Sequence, residues 1–224
     1  MIELVAASRR TEREFWTQAA LGLSLRRLQH DRRLSARLYF ENARGLPDVY
    51  NERIRGTDSA EILVFVHDDV WIDDCFFADR LLEGLQAYDV LGVAGNRRRV
   101  PRQPAWVFVD EQFTWDQPTN LSGRVSHGAN YCGQIAWFGN VPAECELLDG
   151  LLLASRKEVL LSRQVTFDSR FAFHFYDLDF CRLARDRQLR LGTWPIGLTH
   201  ESSGAFGSAN WKLAYQLYLQ KWGS

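Results

Sequence analysis

Residues 61–74, EILVFVHDDVWIDD, constrain the fold more than any other part of this 224-residue chain. The apolar run 62–66 is short, β-branched and uninterrupted, which is typical of a strand buried on both faces of a parallel sheet. His67, Asp68 and Asp69 follow it directly. Because open α/β sheets bind ligands beyond the carboxyl ends of their strands, these side chains predict a metal and phosphate site.

The rest of the chain alternates between strand and helix patterns. Thr11 and Glu14 have the spacing of a capping box, which predicts that one helix opens after the first strand and continues to about Leu28. The pattern predicts strands at 3–7, 37–41, 62–66, 90–94 and 189–194, and helices at 76–87, 157–162, from about 176, and at 211–222. Such alternation predicts a doubly wound, mainly parallel α/β sheet.

Residues 97–148 interrupt this alternation. They open with the basic cluster Arg97, Arg98, Arg99 and Arg102, and they contain two alternating segments, 123–127 and 134–138. These segments predict a small antiparallel flap. Because long irregular insertions in compact domains usually bind ligands, we expect a binding loop or lid within one catalytic domain spanning 1–224. A solvated loop is the alternative for the basic cluster.

Composition excludes several classes of function. The net charge of −1 argues against a general nucleic-acid binder. No apolar run is long enough to cross a bilayer, and residues 1–14 lack the apolar core of a signal peptide. We therefore expect a cytoplasmic protein with reduced cysteines that contacts the inner face of a membrane at most peripherally. Three roles are open for the aromatic C-terminal helix: packing on the core, pairing subunits in a homodimer, and resting on a membrane. Packing is the default expectation.

Acidic side chains recur at three predicted strand or loop ends: Asp68 and Asp69, then Asp149, then Asp177 and Asp179. One or two carboxylates together with substrate phosphates suffice to bind Mg²⁺. Taken alone, Asp68 and Asp69 are explained as caps of the following helix, although the buried strand before them makes this less favoured, and Asp177 and Asp179 as acids favoured by a helix dipole. A lone His200 is more often structural than a ligand, and the individual cases for His67, His127 and His174 are weaker still.

Several segments in the same order resemble the GT-A fold of inverting family-2-type glycosyltransferases, especially a small glycosyltransferase-like subgroup with an H-x-D motif. They are GLPDVYNERI, LVFVHDDVWI, LGVAGN, LLDGLLLASRKEV and FDSRFAFHFYDLDFCRLARDRQLRLGTWPIGLTH. The last is similar to the F-D-x-x-F, E-D-x-D-L-C and distal histidine of that family. The resemblance covers nearly the whole chain, and its co-linear order is more specific than any single motif.

The resemblance implies a role for each matching residue. Asp69 corresponds to the metal-binding aspartate, His200 to a distal histidine that completes the metal shell in some relatives, and His67 stands where many relatives have an acid. Asp177 corresponds to the catalytic base, with Asp179 as a supporting acid and Asp149 beside the donor sugar. Nucleotide-binding loops are implied at Ser8, Arg9, Asn42, Asn51 and Asp68.

This chain departs from the family pattern at Tyr176, which replaces the acid before the base. The departure leaves open whether Asp177 or Asp179 acts. The resemblance implies metal-dependent transfer of a sugar, with Mn²⁺ or Mg²⁺, from a nucleotide-diphosphate donor (UDP at the family level) to a hydroxyl group of a glycan, a lipid-linked molecule or a small molecule. Inversion is expected, and sequence does not exclude retention. A metal-dependent nucleotidyltransferase and a non-catalytic nucleotide-sugar-binding relative stay open as alternatives.

Overall fold

The computed structural model describes residues 1–202, 204 and 206–223. Its helices are α1 (Glu12–Gln18), α2 (Ala20–Arg27), α3 (Leu46–Arg55), α4 (Phe77–Ala87), α5 (Lys157–Ser162), α6 (Tyr176–Asp186) and α7 (Ala209–Trp222). Its strands are β1 (Ile2–Ala7), β2 (Leu34–Tyr39), β3 (Ile62–Val66), β4 (Val70–Ile72), β5 (Val90–Gly92), β6 (Ala94–Asn96), β7 (Leu121–His127), β8 (Gln134–Gly139), β9 (Ala143–Cys145), β10 (Leu147–Leu148), β11 (Leu152–Arg156), β12 (Leu191–Thr193) and β13 (Leu198–His200).

The first sheet has the strand order β2-β1-β3-β11-β5-β12-β9. β3 lies near its middle and every residue of this strand is buried, as its apolar run predicts. β1, β2, β3, β5 and β12 run in one direction, whereas β11 and β9 run in the other. The predicted mainly parallel α/β sheet is therefore confirmed, with antiparallel strands in the middle and at one edge.

The second sheet has the order β10-β6-β7-β13-β4, and β8 pairs with β7. The predicted antiparallel flap corresponds to the β7–β8 pair. This flap is part of a larger sheet, because β7 also pairs with β13, and β13 pairs with β4 on its other side. The insertion 97–148 therefore contributes β7–β10 to both sheets and is less irregular than its sequence indicates. The single catalytic domain stays a prediction.

Two predicted elements are divided in the structure. Residues 90–94 were expected to form one strand, but β5 and β6 lie in different sheets, joined through Val93. At Gly95 a Cβ atom would collide with the Leu147 carbonyl oxygen, so the close β6–β10 pairing requires glycine there. The helix that opens at the Thr11–Glu14 capping box ends at Gln18, because Ala19 is extended, and α2 then begins.

The helices pack on the sheets through their apolar faces. α3 contacts β1 and β3, and α4 contacts β5 and β11. A buried ion pair crosses from α3 to β1, where the Arg53 guanidinium donates to both carboxylate oxygens of Glu3 at 2.7 and 3.0 Å. No helix in the described residues is both long and apolar enough to span a bilayer.

Candidate active site

The carboxyl end of β3 opens into a cavity of about 960 Å³. His67, Asp68 and Asp69 line it, as do Asp149 and Asp177. β11 brings Asp149 to this place, because it pairs antiparallel with β3 and the Leu151 carbonyl accepts a hydrogen bond from the His67 amide at 3.2 Å. The topology therefore gathers acids from distant parts of the sequence at one sheet edge, as the strand-end rule predicts.

His67, Asp69 and His200 form a cluster with the donor set of a metal site. Their ligand atoms all lie within 4.8 Å of one another. β13 pairs with β4 so that His200 lies opposite Val70, and its Nε2 approaches Asp69 Oδ2 to 3.3 Å. His67 Nδ1 lies 4.0 Å from Asp69 Oδ1. Two imidazoles and a carboxylate at these separations fit a divalent cation.

The Asp69 carboxylate has an electrostatic and a hydrogen-bonding feature that fit a cation. Its Oδ1 is buried and, among the described residues, has no hydrogen-bond partner. Such an orphaned acceptor is costly unless something else satisfies it. Burial would raise the pKa of Asp69, but the hydrogen bond and charge of His200 hold it well below its usual range. Asp69 is therefore ionised and has a free lone pair directed at the cluster.

Tyr176 fixes the tautomer of His67. The Tyr176 hydroxyl lies 2.7 Å from the Gly150 carbonyl oxygen, which can only accept, so the tyrosine proton is donated there. The hydroxyl also lies 2.8 Å from His67 Nε2, so this nitrogen is the donor of that second bond. Burial lowers the pKa of His67, so the ring is neutral. Its Nδ1 therefore keeps a lone pair for the side that faces Asp69.

Asp177 faces the cavity from the first turn of α6. Its Oδ2 accepts a hydrogen bond from the Gly150 amide at 3.0 Å. Burial and then the charge of Asp149 raise the pKa of Asp177 to about 7. Gly150 lies so close that a Cβ atom there would be 2.9 Å from Asp177 Cβ. A carboxylate with this pKa can take up a proton at neutral pH, as a general base must.

Asp179, two residues further along α6, lies outside the cavity. Its side chain is fully buried and pairs with Lys221 Nζ at 2.6 Å and Trp222 Nε1 at 2.7 Å, both on α7. The residue before α6, Phe175, has left-handed backbone with φ of 64°. Its ring packs on Trp211, Tyr215 and Tyr218 of α7. α7 therefore supports the first turn of α6 from behind.

The residues implied in nucleotide binding divide into two groups. Ser8 donates to Asp68 Oδ2 at 2.5 Å, and the Ser8 carbonyl accepts from the Asn42 amide at 2.8 Å, so β1, β2 and β3 end together. Arg9 is exposed beside them. Asn51 does not belong to this group: it is buried, and its side-chain amide bonds the backbone of Phe167 at 2.7 and 2.9 Å. Its role is to join α3 to the segment before α6.

The basic cluster of the insertion also lies outside the cavity. Arg98 pairs with Asp116 at 2.6 Å and Arg102 pairs with Glu111 at 2.6 Å, so both guanidinium groups stabilise their own loop. Instead the insertion lines the cavity with aromatic rings, which the sequence analysis missed: Trp106, Phe108, Trp115 and Phe138. The sequence of 106–115 is rich in aromatic residues, but its spacing does not show which of them face the cavity.

Comparisons with known proteins agree with this architecture. GalNAc-T7 in complex with UDP, GalNAc and Mn²⁺ is similar at a TM-score of 0.56 and 10% identity over 99% of this chain and 48% of that chain, so this chain spans about half its length. The catalytic domain of Drosophila β1,4-galactosyltransferase 7, in complex with xylobiose, is similar at a TM-score of 0.50 and 12% identity, over 96% of this chain and 79% of that one. Comparison with curated proteins gave no match.

These likenesses identify the fold as GT-A. A family model described as "Glycosyltransferase like family" matches residues 23–198, which is more than half of the chain. The chain therefore belongs to this glycosyltransferase-like family.

Proposed function

We propose that this protein transfers a sugar from a nucleoside-diphosphate sugar to a hydroxyl group of an acceptor, and that the reaction depends on a divalent metal. One observation carries the proposal: the His67–Asp69–His200 cluster and Asp177, with its pKa near 7, line the same cavity. The family match and the GT-A fold favour sugar transfer over the other reactions of nucleotide-binding folds.

His67, Asp69 and His200 would hold the metal. A bound cation would offset the negative charge of the nucleoside-diphosphate leaving group. Two of these donors are imidazoles, whereas Mg²⁺ prefers oxygen ligands, so the set argues against Mg²⁺. Mn²⁺ is the ion to test first, because GalNAc-T7 was crystallised with it. GalNAc-T7 was crystallised with UDP and Mn²⁺, which supports UDP as the first donor nucleotide to test.

Asp177 would act as the general base. Its carboxylate takes the proton of the acceptor hydroxyl while that oxygen forms a bond to the anomeric carbon. The bond from the anomeric carbon to the diphosphate breaks, and the nucleoside diphosphate leaves with the electron pair. A single displacement assisted by one base inverts the anomeric centre. Asp179 is not the base in this scheme, because its carboxylate is bound to α7. Asp149 raises the pKa of Asp177 and shares its wall.

Ser8, Asn42 and Asp68 would position the nucleotide where β1, β2 and β3 end, with Arg9 at the rim. The test is calorimetric titration of UDP, GDP, CDP and UMP, with and without Mn²⁺, into the wild type and Asp69→Asn. We expect Mn²⁺-dependent binding of one diphosphate that Asp69→Asn abolishes. Asp74→Asn is the matched control, since Asp74 lies in the same segment but caps a turn by accepting from the Phe76 amide.

Two results would contradict the proposal. If no diphosphate binds with Mn²⁺, the protein does not use a nucleotide-sugar donor. If pyrophosphate, rather than a nucleoside diphosphate, is released during turnover, the protein is a nucleotidyltransferase. Proton NMR of the first product distinguishes inversion from retention.

A further inference from the structure

The cavity has two chemically different walls. One wall carries Asp69, Asp149, Asp177 and the histidines. The other is aromatic and consists of Trp106, Phe108, Trp115, Phe138, Phe206 and Trp211. Among the described residues that line the cavity, none is lysine or arginine. The proposed metal would be occupied by the diphosphate of the donor, so an acceptor bearing a phosphate or carboxylate group would meet several acids and no cationic Lys or Arg side chain to stabilise it.

Trp115 is the most exposed aromatic ring of this wall. It is 59% exposed although it lines the cavity. Phe138 stacks on it with ring centroids 5.9 Å apart and an interplanar angle of 16°, and Phe108 meets it edge-on at 5.9 Å and 89°. These neighbours hold the indole in a fixed orientation. Binding a flat ligand against Trp115 would therefore cost little side-chain entropy.

We propose that the acceptor is an uncharged carbohydrate whose pyranose ring lies against Trp115 while one of its hydroxyl groups reaches Asp177. A pyranose has an apolar C–H face and hydroxyl groups at its edge, so it matches a cavity that is lined both by aromatic rings and by acids. An alkyl chain would use the aromatic wall alone, and an acceptor linked to a lipid diphosphate would bring anionic charge into the cavity. The proposal rests on the function proposed above and names its acceptor class.

The insertion offers a matched pair of variants for the test. Trp115 and Trp137 are both exposed, at 59% and 55%, but Trp137 does not line the cavity. Substitution of either exposed ring by alanine is expected to leave the fold intact. Labelled wild type, Trp115→Ala and Trp137→Ala, each loaded with Mn²⁺ and the nucleoside diphosphate found by calorimetry, are applied to an array of neutral, uronic-acid-containing and phosphorylated glycans.

We expect the wild type and Trp137→Ala to bind the same neutral glycans. Trp115→Ala should lose affinity for them by about tenfold or more, since tryptophan is enriched among the residues whose truncation weakens binding most. Its affinity for the metal and nucleotide should not change.

Three results would overturn the acceptor proposal alone. They are binding of nucleotide without any neutral glycan, equal glycan affinity in Trp115→Ala, and preference for phosphorylated glycans or for a sugar linked to a lipid diphosphate assayed in parallel. Absence of nucleotide binding by the wild type would overturn the proposed function, and this proposal with it.

Discussion

The two sides of α6 place similar residues in opposite environments. On the front, Asp177 faces the cavity, accepts one amide hydrogen bond and has no cation beside it in the described residues. On the back, Asp179 is fully buried but is bound by Lys221 and Trp222. Side chains two apart on a helix project on different sides, so the same residue type serves two purposes. The front carboxylate is available to titrate, whereas the back one stabilises the fold.

Asp177→Asn tests the front side of α6, and its loss of turnover should be the largest of the expected effects. Turnover should fall by about 10²–10⁴-fold, the range for loss of a general base. Nucleotide affinity measured by calorimetry should change little, because the amide keeps the shape of the side chain. Glu201→Gln is the matched control: it also lines the cavity, and its Oε1 accepts from Trp71 Nε1 at 2.9 Å, which an amide can still do. Unchanged turnover in Asp177→Asn would remove Asp177 from the mechanism.

Asp179→Asn tests the back side of α6, and it should lower the stability of the fold more than it lowers the rate of the reaction. The Lys221 ammonium keeps its second partner, Asp168 Oδ2 at 2.8 Å, so the free energy of unfolding should fall by about 2 kcal/mol, which is less than the loss expected when a buried charge is left with no partner. Denaturant unfolding measures this loss. A stability equal to that of the wild type would mean that α7 does not hold α6 through this pair.

Tyr176→Phe tests the front side at the metal ligands. Loss of the hydroxyl removes the bond that selects the His67 tautomer, and loss of such supporting bonds typically weakens metal binding by about 10–100-fold. Calorimetry with Mn²⁺ measures it, and nitrogen NMR of the metal-free protein reports the tautomer directly. Tyr50→Phe is the control, because the Tyr50 hydroxyl has no hydrogen-bond partner in the described residues and its ring lies 6.0 Å from that of Tyr176. Equal Mn²⁺ affinity in both variants would exclude a positioning role for Tyr176.

The pH dependence of stability tests the front side of α6 through the pKa of Asp177, and it is the smallest of the expected effects. The pKa of Asp177 is raised from 3.8 to about 7 on folding, so its favourable contribution is complete below pH 3.8 and is lost as pH rises to about 7. The wild type should therefore lose about 1 kcal/mol relative to Asp177→Asn between pH 6 and 7, only about 0.4 kcal/mol between pH 7 and 8, and almost nothing above that. Thermal unfolding of both proteins at pH 6, 7 and 8 measures this difference. A constant difference would mean that Asp177 titrates normally in the folded protein.

The sequence predicts the frame of the molecule better than its details. Strand β3, the Thr11 capping box and helix α5 are confirmed because their signals are local. The convergence of His67, Asp69 and His200 follows from the rule that ligands lie beyond strand ends, together with the order of the resembling segments.

Properties that depend on contacts between residues far apart in the chain cannot be predicted from local sequence patterns. Which of Asp177 and Asp179 faces the cavity is decided by Lys221 and Trp222, some forty residues away. Asn51 matches a nucleotide-binding position in the family pattern, yet its amide is bound to the backbone of Phe167, over a hundred residues away. The aromatic wall comes from an insertion whose side chains have no assigned pattern. Local periodicity carries no information about any of these pairings.

The support of α6 by α7 has a consequence for how the catalytic unit is delimited. The family match ends at residue 198, before His200 and before α7 begins at Ala209. A fragment cut at that boundary would lose a metal-ligand candidate, the aromatic side chains that hold Phe175 in its left-handed conformation, and the cation that neutralises Asp179. Any shortened version of this protein must therefore keep residues up to Trp222.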